Sequence, residues 1–136
     1  MTEHIDFSSF LPNPDDSDLI LKLSPESVLR DLSNTFDTKY SGRIVSAITS
    51  TSKEITSENF QLNFTFYLIF TRHDNFSYPL LRIECIQTSG TYPVEVNAHY
   101  GPPINFGIAE NRDELKAIID KILSEDRTRN LILSMY

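Results

Sequence analysis

Arg82, Glu84 and His99 are the side chains of this sequence best suited to moving a proton. A carboxylate, an imidazole and a guanidinium within reach of one another can do general acid–base work. His73 stands beside Asp74, where it could serve as an oriented base or a weak metal ligand, although such pairs more often form a polar turn. His4 belongs to the N-terminal stretch and reads as solvent-exposed. Cys85 is the single cysteine, which excludes an intramolecular disulfide and a cysteine-based zinc site. The four glycines, Gly42, Gly90, Gly101 and Gly107, are scattered at turns and make no phosphate loop. No nucleophile elbow and no His-x-x-x-His pair is present. The sequence therefore calls for no cofactor and no metal.

The elements that must hold these side chains begin with Asn59 to Thr71. Phe60, Leu62, Phe64, Phe66, Leu68 and Phe70 recur at every second position, with Gln61, Asn63 and Thr65 between the first of them. A period of two places all of these apolar side chains on one face of a half-buried strand. Arg43 to Ser52 reads as a preceding strand, thinning into Ser and Thr as edge strands do. The loop Arg72 to Pro79 leads into a third strand, Leu80 to Thr88, with Leu81, Ile83 and Cys85 facing in. Ser89-Gly90 turns the chain into a fourth, Tyr92 to Tyr100, and Ile104 to Ile108 adds a short fifth.

Helices flank this meander. Ser24 is a good N-cap with Pro25 at the first helical position, and Val28, Leu29, Leu32 and Phe36 form an apolar stripe. Asn111 with Glu114 nearly matches a capping box, followed by Leu115, Ile118, Ile119 and Ile122. Ser124 is placed to cap a second, shorter helix carrying Leu131, Ile132 and Met135. The expected fold is α+β. It is a two-layer sandwich, an antiparallel meander of four to five strands with an N-terminal helix and C-terminal helices packed on one face. Residues 1–17 read as a flexible acidic arm and residues 18–136 as a single domain, with Asp18 to Leu23 either a short edge strand or a lead-in.

Alternation also specifies the opposite face. Aligning Ile83 with Ala98 sets Arg82 against His99 and Glu84 against Asn97, with Tyr67 and Ile69 beside them. Charged cross-strand pairs on a wet face contribute only about 0.2–1 kcal/mol each. Tyrosine and arginine in the middle of a patch are favoured interface anchors. The apolar content at Tyr67, Ile69 and Ile86 points to a covered surface more than to a solvated one. Tyr67, Ile69, Arg82, Glu84, Asn97 and His99, together with the acids Asp15, Asp16 and Asp18 of the N-terminal stretch, are thus the candidate partner-binding set. The alternative is a small-ligand site or enzyme, on or under the sheet, using His99, Glu84 and Arg82.

The composition, 40% apolar and 23% charged, is that of a globular chain, and 136 residues suffice for one core. The net charge of −7 is unevenly spread: residues 1–37 hold eight acids against Lys22 and Arg30. Acidic charge repels phosphate backbones, so no nucleic-acid partner is expected. Asp15, Asp16 and Asp18 could instead steer a basic protein partner. The longest apolar run, Phe66 to Phe70, is far short of the roughly 20 residues that span a bilayer. No secretory signal is visible, so a cytoplasmic protein without membrane partners is expected. In layout and acidity the chain resembles small bacterial binding proteins, including immunity proteins. That likeness implies an immunity protein, antitoxin-like inhibitor or adaptor acting by protein–protein contact or self-association.

Overall fold

A computed structural model of the chain describes residue 9 and residues 24–56, 59–86, 91–99 and 101–136, with residues 55, 59 and 60 described by backbone alone. The expectations for residues 1–17, for Asp18 to Leu23, for the Ser89-Gly90 turn and for the Phe60 side chain lie outside these residues.

The first helix, α1, spans Pro25–Tyr40. It starts as its sequence dictates: the Ser27 amide donates to Ser24 Oγ at 3.3 Å, and Pro25 occupies the first turn. Ser41 closes it in the left-handed region at φ 51°, and Gly42 continues there at φ 85°. This reversal delivers the chain into a five-stranded antiparallel sheet of order β1-β2-β3-β4-β5. Its strands are β1 (Ile44–Thr56), β2 (Asn59–Phe70), β3 (Phe76–Cys85), β4 (Val94–His99) and β5 (Pro103–Ala109). Two further helices follow, α2 (Arg112–Ser124) and α3 (Asp126–Met135). The α+β meander with its N-terminal and C-terminal helices is therefore as expected.

The buried layer forms where β2 presents Phe64, Phe66, Leu68 and Phe70. Leu81, Ile83 and Cys85 on β3 and Val94, Val96 and Ala98 on β4 continue it. Val28, Leu29, Leu32 and Phe36 of α1 and Leu115, Ile119 and Ile122 of α2 belong to the same core, while Ile118 is only half-buried against it. Aromatic packing ties the helices down. The Phe36 ring lies 5.9 Å from Phe66 and 5.7 Å from Tyr40, and Tyr40 lies 5.7 Å from Tyr136. Arg43 caps this stack, its guanidinium 4.9 Å from the Tyr136 ring centre.

Several boundaries differ from the sequence expectation for identifiable reasons. Strand β3 starts at Phe76, not Leu80, because a bulge at Leu80 changes the phase of the alternation. Phe66 pairs with Leu81 and Tyr67 with Pro79, so Leu80 is the extra residue and both leucines are buried. The connection before it contains Asp74 and Asn75 in the left-handed region, at φ 55° and 58°, which returns β2 onto β3. Ser124 does not cap α3. Its hydroxyl donates back to Lys121 O at 2.9 Å, and extended backbone at Glu125 separates the helices. Asn111 does cap α2, accepting from the Glu114 amide at 2.9 Å, while Glu114 accepts from the Glu110 amide at 2.6 Å.

Phe66 is fully buried, with 0% exposure, so Phe66→Ala should cost about 3–5 kcal/mol in denaturant unfolding. An unchanged midpoint would mean that the two faces of β2 are exchanged.

Candidate functional site

Two surfaces compete as sites: the sheet face turned away from the helices, and a groove within the helix layer. On the first, alternation sets Thr65, Tyr67 and Ile69 of β2 beside Arg82 and Glu84 of β3 and Glu95, Asn97 and His99 of β4. All of these side chains are half-buried, and among the described residues no helix packs across them. Tyr67, Ile69, Arg82, Glu84, Asn97 and His99 thus share one face. Asp15, Asp16 and Asp18 lie outside the described residues.

The cross-strand register differs from the expected one by two residues. Ile83 pairs with Val96, Arg82 with Asn97 and Glu84 with Glu95, while His99 lies at the end of β4 opposite Pro103. A shift of two leaves every side chain on its own face. It does change the neighbours: His99 is no longer opposite Arg82, and two carboxylates face each other. Like charges directly opposite destabilise a sheet unless each finds a donor. Here each does. Glu84 takes Arg82, whose Nε lies 3.3 Å from Glu84 Oε1, and Glu95 accepts from Asn105 Nδ2 at 2.7 Å.

Asn63 completes the arrangement and was not singled out by the sequence pattern. Its side chain is 2% exposed although it lies on the outer face. With its amide oriented by its neighbours, Asn63 donates to Leu62 O and accepts from Arg82 Nη2, both at 3.2 Å. Arg82 is therefore held between an amide and a carboxylate. The Arg82 Nε and His99 Nε2 atoms are buried and lack a well-directed hydrogen bond among the described residues. His99 is anchored through its backbone, since its carbonyl accepts from the Tyr78 hydroxyl.

The groove lies on the other side of the sheet. It runs between α1 and the C-terminal helices in two joined compartments of about 390 and 440 Å³, both lined by Leu32, Thr35 and Leu123. Lys39 and Arg129 border one compartment, and Asp31 bonds Arg112 at 3.3 Å across the other. None of Arg82, Glu84 and His99 lines either compartment. Among the described residues no group of three His, Cys, Asp or Glu side chains could hold a metal, and His73 stands exposed in the short 3-10 turn Thr71–His73. No helix among the described residues is long and apolar enough to cross a membrane.

Burial, not catalysis, governs the two perturbed groups. It pushes the Cys85 thiol from 9.0 up to about 11. For the Tyr92 phenol it pushes the value from 10.0 up to about 12, with Arg112 opposing and Cys85 adding to the rise. A protonated, fully buried thiol is a poor nucleophile. Comparison with protein families, with curated proteins and with solved structures finds no match to this chain.

Two predictions arise from this chemistry. Arg82→Ala strips Glu84 of its cation and Asn63 of its donor, and should cost about 1–3 kcal/mol. Adding Glu84→Gln should recover part of that loss in denaturant unfolding by removing the carboxylate pair, and no recovery would mean that Glu95 does not repel Glu84. The second concerns alkaline pH. Because the raised values favour the neutral forms in the folded state, their stabilisation is complete below the unfolded values of 9.0 and 10.0. It is lost as the pH rises through about 11 and about 12. Tyr92→Phe, which removes a buried hydroxyl with no partner among the described residues, should flatten the upper part of this fall in thermal melts. A variant that melts in parallel with wild type up to pH 12 would contradict it.

Proposed function

We propose that this chain is a non-catalytic binding protein of the immunity-protein, antitoxin-like inhibitor or adaptor kind, which holds a protein partner on its outer sheet face. One observation carries the reading. The outer face joins Tyr67 and Ile69 to Arg82, Glu84, Asn97 and His99, and the groove between the helices lies on the opposite side of the sheet. A mixed surface with a tyrosine and an arginine near its middle suits a macromolecular contact. A small substrate needs an enclosing pocket, and among the described residues neither compartment of the groove is lined by Arg82, Glu84 or His99.

The half-buried state of Tyr67, Ile69, Arg82, Glu84, Asn97 and His99 supports the same reading, since a partner laid over this face would cover the area that they still expose. The acids Asp15, Asp16 and Asp18 belong to the partner-binding set in this proposal and speed encounter with a basic partner.

Affinity capture with the wild-type chain and with Tyr67→Ala/His99→Ala, followed by titration calorimetry on the captured protein, tests this directly. The double variant should retain its fold and weaken the partner at least about tenfold, as truncation of an interface anchor does. Neutralising Asp15, Asp16 and Asp18 should slow association and flatten its salt dependence. A partner that binds wild type and the double variant equally would place the contact elsewhere.

A further inference from the structure

We infer that the chain also pairs with a second copy of itself, strand β1 against strand β1, through the sheet edge that no other described strand covers. This inference does not depend on the outer-face partner.

The two edges of the sheet are unlike. Strand β5 has only seven residues, opens with Pro103, carries Gly107 at φ 121° and bulges at Phe106. A short strand, a missing N–H and a bulge are the usual devices that stop an edge from recruiting another strand. Strand β1 has none of them over most of its length. It is the longest strand at thirteen residues, contains no Pro or Gly, and departs from regular pairing only between Glu54 and Thr56. From Ile44 to Ser52 it carries no charge.

The register shows which backbone groups that edge offers. Arg43 O accepts from the Thr71 amide at 3.1 Å, and the same register continues through Val45 with Ile69, Ala47 with Tyr67, Thr49 with Thr65 and Thr51 with Asn63. In an antiparallel pair the bonded and non-bonded positions alternate. The odd-numbered residues therefore direct their N–H and C=O at β2. Ile44, Ser46, Ile48, Ser50 and Ser52 direct theirs away from it, where none of the described strands lies.

The absence of charge selects a second copy as the occupant. A two-fold axis lays β1 antiparallel on itself, so charges near its centre meet their own kind. A strand open to an oppositely charged partner would gain by carrying charge, and this chain, at −7, has acids to place there. With the axis at Ile48, that residue meets its counterpart, Ser46 meets the counterpart of Ser50, and Ile44 that of Ser52. On the other side of the sheet Ala47 meets the counterpart of Thr49, and Val45 that of Thr51. All are uncharged, and about ten backbone hydrogen bonds form. Val45 and Ala47 pair with Ile69 and Tyr67, so this dimer also joins the two outer faces into one surface.

Sedimentation velocity on the full chain over a range of concentrations tests the pairing. Wild type should show twice the 15.6 kDa chain mass at high concentration. Ser50→Pro removes an N–H that faces the open edge and none that bonds β2, so it should abolish the dimer and leave circular dichroism unchanged. Thr49→Lys with Thr51→Lys keeps every backbone group and sets like charges across the axis, and should weaken dimerisation at least about tenfold. It stands as the test if Ser50→Pro fails to fold. Tyr67→Ala, on the outer face, should leave the dimer intact. A wild type that stays at the mass of one chain, or a dimer that survives the paired lysines, overturns the inference.

Discussion

From Phe64 to Phe70 every even-numbered side chain of β2 must leave water, and the rest of the fold follows from how that is done. Phe64, Phe66, Leu68 and Phe70 cannot be covered by a strand, because strands pair edgewise and leave both faces open. Strands β1 and β3 widen the apolar floor by adding Ile44, Leu81, Ile83 and Cys85 to it, and β4 adds Val94, Val96 and Ala98. Helices then close it. The apolar stripes of α1 and α2 do so, and the Phe66, Phe36, Tyr40 and Tyr136 rings step outward from core to surface, where Arg43 covers the last of them.

Drying one face of a strand also determines what the other face can be. Thr65, Tyr67 and Ile69 are turned away from the core by the same period that buries their neighbours. Cross-strand pairing brings Arg82, Glu84, Glu95 and Asn97 beside them. The juxtaposition of Glu84 with Glu95 would loosen the sheet if left alone, and Arg82 and Asn105 are the donors that compensate it. The fully buried apolar side chains lie on the other face, while this one is held by the contacts among Arg82, Glu84 and Asn63.

Elements with a strong local signal were legible in the sequence. The β2 alternation, the Ser24-Pro25 start of α1 and the Asn111 cap of α2 rest on interactions within a few residues, and they stand as read. Features that depend on where two distant segments meet were not. The bulge at Leu80 moves the start of β3 back to Phe76, and no local preference marks it. The β3–β4 register missed by two residues, because a shift of two preserves the faces and alternation cannot detect it. Asn63 was hidden for a related reason: a polar residue between phenylalanines reads as a wet position, and only the approach of Arg82 explains its burial. The six candidate residues from Tyr67 to His99 do share one face, but the pairing among them could not be read from spacing alone.

We propose that β2 divides its labour, one face for stability and the other for recognition. An aspartate scan of residues 64–70, measuring unfolding free energy and partner affinity for each variant, tests it directly. Stability should collapse at Phe64, Phe66, Leu68 and Phe70 and survive at Thr65, Tyr67 and Ile69, with affinity falling at Tyr67 and Ile69 while the fold persists. Stability and affinity that fall together at every position, or an affinity indifferent to Tyr67 and Ile69, would contradict the account.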